Sequence, residues 1–373
     1  IDMGMVEANN QFGFDLFNQL KQQDKGKNIF FSPLSVSFAL AMTYNGAAGA
    51  TKEEMQRVLK LTNLNYDQIN EGSADLMKKL RSTDPQIELA IANSLWGRKG
   101  ERFKEEFLAR NRKYFGAEIA SLDFADPNSK NTINNWVSKN TKGKIPAIVD
   151  RIDSQMVLYL INAIYFKGLW TQKFNKELTK NEPFYLSADS QKQVPLMSQS
   201  GEYRYYRGDR FQAVNLPYGK GGAGLYLFLP DKGSSLDDLL NEFSRNACEG
   251  WLRDFRKTPG DVKIPRFKMD YEKTLNDGLL ALGMETAFGS KADFSGMIDK
   301  RQVYLSEVKH KAVVEVNEEG TEAAAATSVG VRATAMRPHQ ERFTFIADHP
   351  FLMIIRDEPT GAILFMGTVV EPK

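Results

Sequence analysis

One long apolar run near the middle of the chain constrains the fold more than any other feature. Residues 156–166 (MVLYLINAIYF) contain one amide, Asn162, and no charged side chain. The run is rich in β-branched and aromatic residues, and it lacks the polar alternation of a strand that has one face in water. It therefore predicts a central strand of a sheet that is covered on both faces.

The N-terminal third of the chain predicts helices. One helix begins at Ser32 and Pro33, because a serine can accept a bond from a free backbone N–H while proline suits the first turn. Thr51 and Glu54 have the spacing of a capping box and predict the start of another helix.

The rest of the chain is richer in strand patterns. Residues 351–355 and 362–370 predict a hairpin across a turn-forming segment at 357–361. A helix is expected at 275–282, with Gly283 as its stop. Helices early and strands later indicate a mixed α+β fold.

Composition sets the size and the broad class of the protein. The chain has 373 residues, of which 42% are hydrophobic and 26% charged, which suits a large folded core. We find no linker-like tract or repeat, so residues 1–373 are predicted to form one domain. Lys and Arg number 49 against 47 Asp and Glu, and this balance argues against nucleic acid as the main partner. The apolar runs are shorter than the roughly 20 residues that cross a bilayer, so no membrane partner is expected.

Cysteine usage bears on the compartment. The single cysteine, Cys248, cannot form a disulfide within the chain, and the sequence has no N-glycosylation sequon. Both features favour the cytoplasm. An extracellular protein whose signal peptide has been removed is the alternative.

Enzyme motifs are weak throughout. Gly219, Gly221 and Gly224 have the spacing of a dinucleotide fingerprint, but they lie between two strand-like runs and do not open a helix, so we interpret them as a hairpin tip. The histidines and the one cysteine show no metal-ligand spacing. The three histidines are His310, His339 and His349. We therefore predict no enzymatic activity, no metal and no cofactor.

The most unusual segment is residues 318–328 (EEGTEAAAATS), which follows a strand-like run at 312–316. One interpretation is an exposed alanine-rich loop or a short helix, since alanine has the highest helix propensity. The other interpretation is a segment that can become a strand. At a period of two residues, one face of that strand would carry only small side chains, which could enter a packed interior. They are Thr321, Ala323, Ala325 and Thr327.

At this point the sequence resembles a known family. The segment is similar to the hinge of inhibitory serpins, and similar stretches occur at 28–35 (NIFFSPLS), 162–170 (NAIYFKGLW) and 348–352 (DHPFL). The resemblance covers essentially the whole chain and looks closest to the intracellular, ovalbumin-like branch. The hinge comprises Glu318, Glu319, Gly320, Thr321, Glu322, Ala323, Ala324, Ala325, Ala326 and Thr327.

The resemblance implies the fold and the mechanism. It implies a monomer with three β-sheets, about nine helices and an exposed reactive-centre loop at about 318–342. A target protease would cleave the loop and become acylated. The loop would then insert into the central sheet and trap the enzyme, so the inhibitor is a suicide substrate.

The resemblance also places the scissile bond. In the family this bond follows the residue fourteen places beyond the hinge glycine, which puts cleavage between Thr334 and Ala335 when counted from Gly320. A small residue there resembles bait for an elastase-like protease. Arg332 and Arg337 are rival bait residues, although Pro338 would hinder cleavage after Arg337. A trypsin-like enzyme through Arg332 is the second choice, and cysteine proteases are further candidate targets.

Other residues acquire expected roles in the same way. The resemblance places four polar residues where the main sheet parts, and Trp170 where the loop first enters. These four are Ser32, Ser35, Asn162 and His310. Lys78, Lys79 and Arg81 form a basic cluster that in some serpins binds glycosaminoglycans, although such a cluster is more often a solvated helix face. A non-inhibitory serpin with a storage, chaperone or binding role is the competing hypothesis, and the small hinge residues argue against it.

Overall fold

The structure is a computed structural model that describes residues 3–82, 84–299, 302–320 and 341–373. These residues contain nine α-helices and fourteen strands. The helices are α1 (Met3–Gln23), α2 (Pro33–Tyr44), α3 (Gly49–Val58), α4 (Tyr66–Ser82), α5 (Glu105–Phe115), α6 (Ser129–Asn140), α7 (Leu236–Glu242), α8 (Arg245–Asp254) and α9 (Asn276–Ala281).

The strands fall mostly in the second half of the chain. They are β1 (Ile29–Phe31), β2 (Ile87–Arg98), β3 (Glu118–Leu122), β4 (Leu158–Gly168), β5 (Lys180–Ser187), β6 (Ser190–Arg207), β7 (Phe211–Tyr218), β8 (Ala223–Pro230), β9 (Arg256–Pro265), β10 (Phe267–Thr274), β11 (Leu305–Val316), β12 (Phe343–Ile346), β13 (Phe351–Asp357) and β14 (Ile363–Val369). The predicted mixed α+β class is confirmed.

Residues 158–166 of the apolar run lie in β4, the central strand of a five-stranded sheet with the order β10-β11-β4-β2-β3. Leu158, Leu160, Ile164 and Phe166 contribute to the main hydrophobic core. The alternate side chains from Tyr159 to Tyr165 join a second core under α6 on the opposite face. The strand is therefore covered on both faces, as its composition predicted.

A second set of nine strands is joined into one hydrogen-bonded array. The resemblance implied two further sheets, and the 18-residue strand β6 explains why they connect. Most of β6 pairs with β5 and β9, while its last four residues, Arg204–Arg207, pair with β7. One long strand thus belongs to both expected sheets.

Of the two helix starts predicted from capping residues, one is confirmed and one is wrong. The Oγ atom of Ser32 accepts a hydrogen bond from the Ser35 N–H at 3.2 Å, so the predicted cap of α2 is confirmed. The capping box at Thr51 is wrong: α3 begins at Gly49 and has no side-chain cap. Thr51 instead bonds the backbone N–H of Asp293, because tertiary partners at 286–293 satisfy its hydroxyl.

The sequence also predicted two β-hairpins and no membrane-spanning segment. Gly219 and Gly221 lie in the connection between β7 and β8, and Gly224 is the second residue of β8, so the hairpin interpretation is confirmed. The hairpin of β13 and β14 is also confirmed. No helix in the described ranges is long and apolar enough to cross a membrane.

Candidate functional site

The candidate site is the seam between β4 and β11, two parallel neighbours in the middle of the five-stranded sheet. Their ladder runs from Leu158 and Leu305 to Tyr165 and Val313. Both strands continue for three residues beyond the last of these pairs, to Gly168 and Val316. The two strands are therefore paired along most of their length, and the pairing stops three residues before the strands end.

A tight turn follows β11 at that upper end. Asn317 and Gly320 exchange two backbone hydrogen bonds, of 3.1 and 3.2 Å, so the chain reverses direction there. Gly320 also forms an antiparallel bridge with Leu169, which follows β4. The φ angle of Gly320 is +109°, and a Cβ atom there would lie 2.1 Å from the carbonyl oxygen of Gly168. Only glycine fits this position.

Trp170 fastens the turn to the end of β4. Its backbone N–H donates to the carbonyl of Glu319 at 3.0 Å, and its indole N–H donates to the carbonyl of Asn317 at 2.7 Å. The indole stacks on Tyr218 with a centroid separation of 4.3 Å. The structure thus brings Trp170 and the start of the hinge together.

The two hinge carboxylates have different partners. Glu318 is 3% exposed and accepts bonds from Thr179 at 2.8 Å and from Arg266 at 3.2 Å. Glu319 accepts from the Lys176 ammonium at 2.7 Å, and this hydrogen bond raises the pKa of Lys176. The base of the hinge is therefore tied to the segment that follows β4.

His310 lies at the middle of the seam and is completely buried. Its Nε2 atom accepts from the Ser32 N–H at 3.2 Å, so the proton sits on Nδ1, which donates to Oδ1 of Asn162 at 2.5 Å. Burial lowers the pKa of His310 to about 3, so the ring is neutral at pH 7. The Asn162 amide donates in turn to Oγ of Ser35 at 2.6 Å. The four polar residues named from the sequence form one connected network.

One member of this network, Asn93 on β2, was not predicted from the sequence. Its Oδ1 atom accepts from the Asn162 amide, and the strand register places Asn93, Asn162 and His310 side by side on three neighbouring strands. The Nδ2 atom of Asn93 is buried and has no hydrogen-bond partner among the described residues. An asparagine within a strand-like segment was its only sequence signal.

Several predicted residues lie elsewhere. Lys78, Lys79 and Arg81 are on the last turns of α4 and contribute nothing to the seam. Other residues named from the sequence lie outside the described residues. They are Thr321, Glu322, Ala323, Ala324, Ala325, Ala326, Thr327, Arg332, Thr334, Ala335 and Arg337.

The described part of the chain also contains metal-ligating residue types and one cysteine. Its His, Cys, Asp and Glu residues include no group of three or more that could hold a metal ion. Cys248 is buried, and burial raises the pKa of its thiol to about 12. That thiol is therefore unsuited to act as a nucleophile near neutral pH.

Comparison with known proteins gives a consistent result. The family model described as serpin (serine protease inhibitor) matches residues 7–372. A leukocyte elastase inhibitor from Sus scrofa is 38% identical, with 98% of each chain covered, and one from Homo sapiens is 37% identical, with 99% of each covered.

Solved structures extend the comparison. The native thermophilic serpin tengpin superposes with a TM-score of 0.91 at 31% identity, covering 100% of this chain and 95% of that one. Uncleaved ovalbumin gives a TM-score of 0.88 at 28% identity, covering 100% of both chains.

Proposed function

The chain belongs to the serpin family, and from that premise we propose that it inhibits proteases as a suicide substrate. A serine protease would attack the carbonyl carbon of Thr334, break the bond to Ala335 and form an ester with that carbonyl, while the new amine of Ala335 leaves with a proton. Insertion of the freed loop between β4 and β11 would then carry the enzyme away before water can hydrolyse the ester.

The observation that carries this proposal is the geometry of the turn at 317–320. Gly320 pairs with Asn317 on one side and with Leu169 on the other, and both bridges are antiparallel. A strand that continues from Gly320 would therefore run antiparallel to both β4 and β11. This insertion replaces a parallel contact with two antiparallel ones, which are slightly more stable per residue.

The two bridges also set the register of the inserted strand. Counting down β11 from the pair Asn317 and Gly320 places residue 327 beside His310, since 317 + 320 equals 310 + 327. Counting down β4 from Leu169 places residue 327 beside Asn162, since 169 + 320 equals 162 + 327. His310 and Asn162 are already paired in the sheet. Both strands therefore accept the same register without sliding.

This register explains the composition of the hinge. Ala323 would lie between Val314 and Phe166, and both of these side chains are completely buried in the main core. Thr327 would take the place of the bond between His310 and Asn162, where its hydroxyl can bond to either side chain. Small or hydroxyl side chains on this face keep the steric cost of insertion low.

The register also bears on the scissile bond. Residue 330 is the last that both strands place in the same row, beside Tyr159 and Glu307, because β11 has an irregularity between Leu305 and Glu307. Cleavage after Thr334 leaves four residues between this row and the captured enzyme, whereas cleavage after Arg332 leaves only two. The longer tether and the relatives named leukocyte elastase inhibitor favour Thr334 and an elastase-like target.

Several finer points belong to the same proposal. We propose a monomeric single domain without a cofactor, located in the cytoplasm. A trypsin-like target through Arg332 and a cysteine protease target remain alternatives to be tested. A non-inhibitory role is disfavoured because the hinge residues that would enter the core are small. Binding of a glycosaminoglycan by Lys78, Lys79 and Arg81 is a separate hypothesis.

The decisive experiment is incubation with elastase-like, trypsin-like and cysteine proteases, followed by a denaturing gel and mass analysis of the released C-terminal peptide. We expect a band of the combined mass with an elastase-like enzyme and a peptide that begins at Ala335. A peptide that begins at Ala333 would move the bait to Arg332. Cleavage without any covalent band across the panel would reject the inhibitor.

A further inference from the structure

A groove with a volume of about 650 Å³ lies between three segments of the chain. They are the end of β5 with the turn that follows it (185–188), the connection from β8 into α7 (231–236) and the segment before β13 (348–350). None of the three belongs to the five-stranded sheet, so the groove is not part of the seam between β4 and β11. Its volume is in the range of small-molecule pockets, which is about 300–1,000 Å³.

Apolar side chains form much of the wall of this groove. Tyr185 is 45% exposed, and Leu186 and Leu236 are partly buried against the main core. The pairing of β5 with β6 is irregular between Tyr185 and Ser187, and the Tyr185 N–H donates to the carbonyl of Asp348 at 2.7 Å. The backbone therefore holds the Tyr185 ring at the groove, where the apolar body of a ligand can cover it.

His349 supplies a positive charge beside this wall. Its Nδ1 atom lies 2.7 Å from Oδ1 of Asp348, and its Nε2 atom lies 2.7 Å from the carbonyl oxygen of Pro230. A carboxylate and a carbonyl can only accept hydrogen bonds, so both ring nitrogens carry a proton. Burial alone would lower the pKa of His349, but these two bonds outweigh it and raise that pKa above its ordinary value. The ring is therefore an imidazolium whose charge is balanced by Asp348.

Lys232 is a second cation at the groove, and its charge is not balanced. Its side chain is exposed and forms no ion pair with the other described residues. Two carboxylates line the groove, and each has a cation of its own. Asp348 pairs with His349, and Asp231 pairs with Arg207 at 2.5 Å. The Lys232 ammonium also acts against the protonation of His349, so an anion in the groove would relieve the repulsion between these two cations.

We propose that this groove binds a small organic carboxylate with an apolar body, of the kind that a free medium-chain fatty acid represents. The carboxylate would lie at the Lys232 ammonium, and the chain would cover Tyr185 and Leu236. An apolar wall alone accepts any hydrophobic molecule, whereas the unbalanced cation favours an anion over a neutral ligand. The site does not depend on the proposed inhibition of proteases.

Isothermal titration calorimetry with three probes tests the site. Octanoate has both the charge and the apolar chain, octanol has the chain without the charge, and acetate has the charge without the chain. We expect octanoate to bind at a single site and at least about tenfold more tightly than acetate, because acetate leaves the apolar wall uncovered. Equal affinities for octanoate and acetate would overturn the proposal.

Two variants separate the charge from the apolar wall. Lys232→Met removes the charge and keeps an apolar stem, so the affinity for octanoate should fall about fivefold while that for octanol stays the same. Tyr185→Ser removes the exposed ring and should weaken both ligands about fivefold. Lys173→Met and Leu280→Ser are the matched controls, because they make similar changes at exposed residues outside the groove, and both should bind like the parent.

The ring of His349 gives a second measurement. Octanoate should raise the pKa of His349 in an NMR titration, because an anion beside Lys232 favours the imidazolium, and octanol should leave that pKa unchanged. The resonances of His310, which is buried in the seam, should not move with either ligand. An octanoate affinity that is the same in Lys232→Met as in the parent, or that falls equally in Lys173→Met, would overturn the proposal.

Discussion

A charge placed on the inward face of the hinge should convert the inhibitor into a substrate. In the inferred register Ala323 would enter between Phe166 and Val314, which are both 0% exposed. Ala323→Arg would therefore bring an unpaired guanidinium into the main core in the third row of the new strand. The preceding residue, Glu322, would lie between exposed Glu315 and half-buried Lys167.

The magnitude follows from the competition between insertion and hydrolysis. Residues 321–330 would gain on the order of 10 kcal/mol in hydrogen bonds, at about 0.5–1.5 kcal/mol each. Most of that gain comes after the third row, so it cannot lower a barrier that is met there. An uncompensated buried charge costs about 3–5 kcal/mol, which slows insertion by about 10²–10⁴-fold.

The assay is the stoichiometry of inhibition together with the covalent fraction on a denaturing gel. Ala323→Arg should be cleaved at the same bond and released, with little covalent complex. Glu322→Arg is the matched control, because it adds the same side chain one residue away, in a row whose neighbours Glu315 and Lys167 are exposed and half-buried, and it should inhibit like the parent. Equal inhibition by both variants would refute the register and the burial of this face.

Three further predictions concern other parts of the molecule. His310→Ala should promote spontaneous insertion or polymer formation, because it removes the bond to Asn162 across the seam; unchanged polymer formation on native gels would count against this. His310 has a pKa of about 3 when folded against 6.5 in its ordinary state, so the unfolded chain binds the extra proton first and stability is lost as pH falls from about 6.5 toward 3. The free energy of unfolding should fall by up to about 1.4 kcal/mol per pH unit on this account, and His310→Gln should lack that slope in urea titrations; an identical slope in the variant would contradict it. Replacing Lys78, Lys79 and Arg81 together should abolish retention on heparin, and retention that survives the triple change would remove that hypothesis.

Much of the fold was predictable because its signals are local. The composition of 156–166 reports on both faces of β4 at once, and the Ser32 cap needs only the next three residues. The failure at Thr51 shows the limit of such signals, since partners more than 230 residues away decided what its hydroxyl bonds. Local chemistry predicts what a side chain can do, and tertiary contacts select among those choices.

In the candidate site, too, local sequence signals predicted some residues and tertiary contacts decided the rest. The hinge residues and His310 could be named from the sequence, but the pairing of β4 with β11 joins segments about 150 residues apart, and no local pattern sets its register. Asn93 was missed because an asparagine in a strand has no distinctive spacing, and its role depends on lying beside Asn162. The turn at 317–320 likewise could be interpreted only from the structure, where Leu169 pairs with Gly320.

The claim that the sheet accepts its own loop as a new strand is tested most directly by comparing thermal unfolding before and after a single cut at 332–337. If the freed segment inserts between β4 and β11, the cut protein should unfold on the order of 10–20 °C above the intact one. A cut protein that unfolds at the same temperature as the intact chain, or below it, would contradict the account.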